Sequence, residues 1–274
     1  MKSSIKKIIG GIPIFCSTEF NKKYDKLHIL QKNKYVVVSI YLNTLDDTYV
    51  AVKTIKINKN YTKDVVYNEI KMQNKIKDDN ILYIKEIYSN KKRNIFKIVT
   101  DYSQEGDLLD FIIKNKIDDL CKKDFIRQIS NIVNLLHKNN IVHCDIKPEN
   151  FIVCKINEKY ILKIIDFGYS HLGYKKTMHG TFLYQSPEQL LYGMSNKYSD
   201  IWSMGILFYA IITKKLAFSH GESREKTINK IKKGKYSKKI IKDKLTLDLI
   251  DKMICVDKFK RITIKDILLH PYLA

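Results

Sequence analysis

The 274-residue chain has few of the residues that break or bend a backbone: four prolines and ten glycines. That scarcity excludes collagen-like and linker-like chains. No apolar run approaches the ~18 residues of a membrane-spanning helix, so a transmembrane segment is not expected. Five cysteines (Cys16, Cys121, Cys144, Cys154 and Cys255) are odd in number and scattered, with no CxxC pair. They form neither a disulfide framework nor a zinc site, and the expected setting is reducing and intracellular, cytoplasm or nucleus. Arginine is scarce too. Arg93, Arg127, Arg224 and Arg261 are the whole supply, and every other basic residue is a lysine.

What is abundant is positive charge: 50 basic against 29 acidic residues, a net +21. Proteins that read nucleic acid favour arginine for bidentate contacts, and no nucleic-acid-binding motif is present. The excess of Lys, Asn and Ile reads as a coding bias toward A and T. An anionic partner on the lysine-rich surface is the second reading. The densest basic stretch, residues 214–244, is read as a solvated face of surface helices. Apolar residues make up 45%, enough to bury a core in one large domain or two lobes. At the start, Lys2, Lys6 and Lys7 precede a short apolar stretch, residues 8–15. Pro13 interrupts it and no small-residue cleavage site follows, so it is not read as a signal peptide.

The first hundred residues predict strands. Residues 34–42 and 48–57 are rich in β-branched and aromatic side chains, with Asp46 and Asp47 turning the chain between them. A helix is expected over 62–77, N-capped by Thr62, then strands over 82–89 and 95–102. Residues 103–106 read as a hinge. Beyond it the chain reads as mostly helical. Phe125, Ile129, Ile132, Val133 and Leu136 recur on one helix face, and residues 201–212 are apolar almost all round, which marks a central buried helix.

The chemistry is concentrated in His143-Cys144-Asp145-Ile146-Lys147-Pro148-Glu149-Asn150 and, sixteen residues on, Asp166-Phe167-Gly168. Two acids and an amide suit a Mg²⁺ site that also meets phosphate, because Mg²⁺ takes oxygen ligands and few protein groups. Upstream, Val50-Ala51-Val52-Lys53 lies on a strand and Glu69 sits sixteen residues later on a helix. Downstream come Ser186-Pro187-Glu188 and Asp200-Ile201-Trp202-Ser203-Met204-Gly205.

In the order and spacing of these motifs the sequence resembles the eukaryotic protein kinases, over about residues 24–274. The resemblance implies an α+β fold of two lobes. Residues 1–101 would form a small β-rich lobe with one helix, 102–106 a hinge, and 107–274 a larger helical lobe, with ATP in the cleft between them. It implies transfer of the γ-phosphoryl group of MgATP to Ser or Thr hydroxyls of protein substrates. Lys53 would grip the α- and β-phosphates and Glu69 would hold Lys53. Asp145 would accept the substrate proton, and Asn150 and Asp166 would hold Mg²⁺. Lys147 would neutralise charge on the moving phosphoryl group and marks the serine/threonine type. Val38, Ala51 and Ile152 would sandwich adenine, with Thr100 behind it and residues Asp101 to Ser103 offering backbone groups. His143, Phe167, Glu188, Asp200 and Arg261 would be structural, with Glu188 and Arg261 as a buried ion pair. Thr181 would contact the catalytic loop, and Thr177 matches a position where many kinases carry an activating phosphate.

Two departures qualify this. The three positions of the family's glycine-rich loop fall at Gln31, Asn33 and Val36. Glycine there allows backbone N–H groups to approach phosphate closely. Asn33 is expected to rescue the turn in part by taking a left-handed backbone, and Lys32 and Lys34 to add charge; ATP binding should be weak. Cys144 replaces the arginine before the catalytic Asp and reads as a small substitute rather than a redox sensor. The alternative to an active enzyme is a weakly active or inactive pseudokinase, serving as a scaffold or allosteric partner. Oligomeric state is not read from the sequence.

Overall fold

The computed structural model describes residues 7–59, 61–177, 179–218 and 223–274. His220 and residues 1–6, with Lys2 and Lys6, lie outside the described residues. The chain divides into two compact units, Met1–Gln104 with Ile165–Gly168, and Glu105–Ile164 with Tyr169–Ala274. The Asp166 segment, which the sequence reading places in the second lobe, thus clusters with the first.

The first unit holds β1 (Lys7–Ile9), β2 (Ile12–Cys16), α1 (Ser17–Lys23), β3 (Tyr24–Lys32), β4 (Val36–Asn43), β5 (Thr48–Lys56), α2 (Lys63–Gln73), β6 (Ile84–Asn90) and β7 (Ile95–Asp101). Its strands form a sheet in the order β1-β2-β6-β7-β5-β4-β3, antiparallel except for the parallel pair β2–β6. Residues 8–15, weighed above as a signal sequence, contribute two of these strands. The hairpin at Asp46 and Asp47 is as expected, with Asp47 at φ 54°.

Strand alternation decides which side chains meet α2. Val50 and Val52 pack with Phe20, Tyr24, Tyr41, Tyr88 and Val99 in one core cluster. Ile55, on the other face with Ala51 and Lys53, packs with Val66 and Ile70 of α2. Thr62 caps that helix, accepting from the Val65 N–H at 3.4 Å. Val66, Glu69, Ile70 and Gln73 form its buried face. The helix stops at Gln73, short of the predicted 77, and Asn74 caps it.

The second unit holds α3 (Leu108–Lys114), α4 (Asp119–Lys138), β8 (Ile141–Val142), β9 (Phe151–Ile156), β10 (Lys159–Ile164), β11 (His171–Leu172), β12 (Lys175–Lys176), α5 (Pro187–Tyr192), β13 (Met194–Ser195), α6 (Lys197–Thr213), α7 (Arg224–Lys232), α8 (Lys244–Met253) and α9 (Ile264–Leu268). The stripe read from the sequence, Phe125 to Leu136, is the buried face of α4. Helix α6 is buried along most of its length. At Gly205 a Cβ would lie 2.9 Å from Met253 and from Ile254, so the glycine sets how closely α6 approaches the end of α8. The basic stretch from 214 contains α7 and is largely exposed, as expected of a solvated face. Among the described residues no helix is long and apolar enough to cross a membrane.

Candidate active site

In the first unit, Lys53 lies between two carboxylates. Its Nζ is 2.7 Å from Glu69 Oε1 and 3.2 Å from Asp166 Oδ1. Burial alone would lower the Lys53 ammonium; the charges of Asp166 and Glu69 outweigh it and hold the group above the ordinary lysine value. The lysine is therefore a fixed positive point charge. Asp166 has φ 62°, a left-handed conformation that an Asp tolerates better than most residues and that is costly unless its surroundings impose it. Asn68 supplies part of that constraint, its Nδ2 donating to the carbonyls of Phe167 at 3.5 Å and Gly168 at 3.4 Å. Nothing in the sequence marked Asn68 beyond its place beside Glu69.

In the second unit, Asp145 is buried and its carboxylate is heavily bonded. Oδ1 accepts the Thr181 N–H and the Thr181 hydroxyl, both at 2.8 Å. Oδ2 accepts from Asn150 Nδ2 at 3.1 Å and lies 2.9 Å from Lys147 Nζ. Lys147 also donates to the Thr181 oxygen at 2.8 Å. Asn150 is fixed by a second bond from Nδ2 to the Asp145 carbonyl at 2.7 Å. Gly180, at φ 115°, brings this segment in: a Cβ there would stand 2.6 Å from the Cys144 carbonyl oxygen, which no other residue could accommodate unchanged.

The loop before Asp145 is held from beneath. Asp200, fully buried on α6, accepts the N–H groups of His143 and Cys144 at 3.0 Å each and pairs with His137 Nε2 at 2.8 Å. Burial would raise its carboxyl, but the bond and charge of His137, with the His143 charge and the Cys144 amide, keep it below the usual aspartate range. This anchoring explains how the loop stands with Cys144, at φ 70°, in place of an arginine. Burial and the neighbouring Asp200 push the Cys144 thiol up, away from thiolate reactivity. Glu188 and Arg261 form the expected buried pair, at 2.8 and 3.1 Å, and Arg261 also donates to the carbonyls of Tyr198 and Cys255. His143 is buried, with Nδ1 accepting from the Asp145 N–H at 3.4 Å.

The remaining positions fall as follows. Val38 pairs with Lys53 across β4–β5, and Ala51 with Thr100 across β5–β7. Asp101 ends β7 with its carboxylate 2.6 Å from Lys85. Ser103 is half-buried. Ile152, on β9, makes an isolated bridge with Asp107. Phe167 is fully buried. Gln31 is on β3, paired with Val38. Asn33 departs from its expected conformation: it is not among the residues with positive φ. Its side chain, rather than a left-handed backbone, closes the turn, with Oδ1 accepting the N–H groups of Tyr35 and Val36. Thr177 is half-buried, its N–H donating to the Gly193 carbonyl at 2.5 Å beside the β12–β13 pair.

Hard oxygen donors suit Mg²⁺, and both expected ligands offer one. Asn150 makes its hydrogen bonds through Nδ2, which leaves Oδ1 as a neutral donor. The Asp166 side chain is 40% exposed even with Lys53 beside it. Among the described residues no three His, Cys, Asp or Glu side chains gather as a metal site.

Residues 24–273 match the family model described as a protein kinase domain. Calcium-dependent protein kinase 4 of Plasmodium falciparum is 31% identical over 268 residues, 93% of this chain and 50% of that protein. Calcium-dependent protein kinase 3 of Plasmodium yoelii yoelii is 33% identical over 233 residues, 81% of this chain and 41% of that protein. The carbon catabolite-derepressing protein kinase of Secale cereale is 35% identical over 189 residues, 66% of this chain and 36% of that protein. The chain spans half or less of the length of these curated relatives. With the match covering nearly all its residues and Lys53, Glu69, Asp145, Asn150 and Asp166 in their expected elements, the chain belongs to the protein kinase family.

Proposed function

We propose that the protein transfers the γ-phosphoryl group of MgATP to serine or threonine hydroxyls of protein substrates. The observation that carries this reading is the Asp145 carboxylate, held at both oxygens by Thr181, Asn150 and Lys147. A substrate hydroxyl that displaces one of these donors meets an oriented proton acceptor. The hydroxyl oxygen forms a bond to the γ-phosphorus, the bond from that phosphorus to the β,γ-bridging oxygen breaks, the proton passes to Asp145, and ADP leaves. Lys147, beside Asp145, offsets negative charge on the moving phosphoryl group. Lys53, kept charged by Glu69 and Asp166, positions the α- and β-phosphates. Asn150 and Asp166 would hold Mg²⁺, which neutralises phosphate charge. Little covalent chemistry falls to the protein, so fixed positions and charges supply most of the rate.

The relatives named above are all protein kinases by name, and Lys147 with Thr181 favours serine and threonine hydroxyls here. The test is phosphorylation of a degenerate peptide library by the wild type and by Asp145→Asn. Incorporation on Ser and Thr that the variant lacks supports the reading, and incorporation equal in both overturns it. A second reading, a pseudokinase acting as a scaffold, is favoured by one observation: none of the three loop positions is glycine. A thermal-shift scan with and without MgATP, followed by a phosphotransfer assay on a generic substrate, separates the two: a protein that binds no nucleotide gains no stability from it, and one that binds without catalysis transfers no phosphate.

A further inference from the structure

The turn between β3 and β4 is closed by a side chain. Asn33 Oδ1 accepts the N–H of Tyr35 at 2.9 Å and of Val36 at 2.8 Å. The Asn33 N–H in turn donates to the Val36 carbonyl at 2.9 Å. Outside the turn, the Tyr35 carbonyl accepts the Lys56 N–H at 2.8 Å, and Lys32 and Gln31 pair with Val37 and Val38. The carboxamide can do this in one orientation alone, because its NH₂ end has no lone pair to offer two N–H donors. The turn thus closes on its own Asn33 side chain and on the flanking strands.

Consecutive backbone N–H groups in a turn make a concave anion site, and a glycine-rich loop in this place lies over the phosphates of ATP. We propose that the Asn33 carboxamide is a built-in competitor of the nucleotide's phosphates for the Tyr35 and Val36 amides, so that phosphates add little to affinity through this loop. The inference rests on the kinase reading above. Amides bonded to water exchange a free solvent molecule for phosphate. Amides bonded to Asn33 must first expel an acceptor tethered two and three residues away, present at high effective concentration. Expulsion also leaves the carboxamide oxygen to find a new donor. Lys34 adds little compensation where it stands, its ammonium 5.3 Å from the Tyr35 ring centroid. Recognition then rests on the base and on Lys53, and the preference for ATP over adenosine is shallow.

The experiment is calorimetric titration of wild type, Asn33→Ala, Asn33→Gly and Asn33→Asp with MgATP and, separately, with adenosine. Asn33→Ala removes the competitor without adding glycine's freedom. Both Ala and Gly variants should raise the ATP-to-adenosine affinity ratio by about tenfold. Adenosine affinity itself should stay within about twofold. Asn33→Asp keeps the acceptor and adds a charge that repels phosphate, so its ratio should fall below wild type. A ratio unchanged in Asn33→Ala overturns the proposal, as does a rise confined to Asn33→Gly, which would assign the effect to backbone freedom. Wild-type binding to neither ATP nor adenosine would overturn the kinase reading itself. Melting curves of each variant identify those that are folded, and the Asp variant tests the same competition with the turn's acceptor kept.

Discussion

Thr181 donates both its backbone N–H and its hydroxyl to one oxygen of Asp145, each at 2.8 Å. The same hydroxyl oxygen accepts from Lys147, so one threonine joins the proposed proton acceptor to the proposed charge stabiliser. Thr181→Val keeps the shape and the backbone bond but removes this link. Turnover should fall by about 100-fold, as expected when reacting groups lose their alignment, with little change in the KM for ATP. Thr181→Ser should restore most of the rate. Steady-state kinetics of the three proteins decide it, and a valine variant with wild-type kcat would remove Thr181 from the catalytic assembly.

Asp145→Asn should abolish measurable phosphotransfer, a loss of at least about 100-fold, and leave the circular dichroism spectrum unchanged. Lys53→Met should be equally inactive through lost positioning of the phosphates, and it also leaves Glu69 buried beside Asp166 with no cation between them. The methionine variant should therefore also melt lower than the asparagine one. Near-normal turnover in either protein contradicts the site assignment.

Phosphorylation of Thr177 should matter little. By spacing, the positions from which kinases of this family pair with such a phosphate fall here at Cys144, Val65 and His171. Burial lowers the His171 imidazolium below its ordinary range, so it is neutral at pH 7. The segment is already held by the Lys175–Ser195 and Lys176–Met194 pairing and the Thr177–Gly193 bond. Thr177→Ala should lose less than about threefold in activity, against the 1.4 kcal/mol that a tenfold change represents. A large loss, mirrored by phosphatase treatment of the wild type, would reveal a basic partner for the phosphate.

The Glu188–Arg261 pair predicts an acid-sensitive share of stability. Burial would raise the Glu188 carboxyl, but the hydrogen bond and charge of Arg261 hold it below its ordinary 4.5. A depressed carboxyl stabilises the fold fully above its unfolded value and loses that contribution as pH falls through the lower folded value. Arg261→Ala should cost about 3–5 kcal/mol at neutral pH, because it strands a buried carboxylate. Urea unfolding at neutral pH and near pH 3 should show the gap between variant and wild type narrowing on acidification. A gap that does not change with pH would mean that lost packing, not charge, sets the cost.

Lys53 and Glu69 were legible through the resemblance to the kinases, and two periodicities account for how they meet. Lys53 shares a strand face with Ile55, and Glu69 shares a helix face with Val66 and Ile70. The motif around Asp145 was legible from residue order, and the α4 stripe from its spacing. The strand Tyr24–Lys32 was not, since all but its first residue are exposed and its lysines and histidine hide any alternation. Nor were β1 and β2, a hairpin that joins the sheet through the pairing of β2 with β6, some seventy residues away in sequence. At Asn33 the backbone expectation missed because Asn satisfies a turn in two ways, and local hydrogen bonding by its side chain prevailed.

The family-model match begins at residue 24, yet the hydrophobic contents of the first unit begin earlier. Ile12 and Ile14 lie in one core cluster and Phe20, 1% exposed, in the other. Strand β2 also occupies the side of β6 away from β7. A protein trimmed to the boundary of the likeness would lose the Phe20 side chain, and emptying a site of that kind costs about 3–5 kcal/mol. It would also leave β6 as an unpaired edge, open to hydrogen bonding with other chains. The smallest piece able to fold by itself is therefore longer than the piece the family match marks out, and expression begun at residue 24 should yield aggregate where expression from residue 1 yields monodisperse protein.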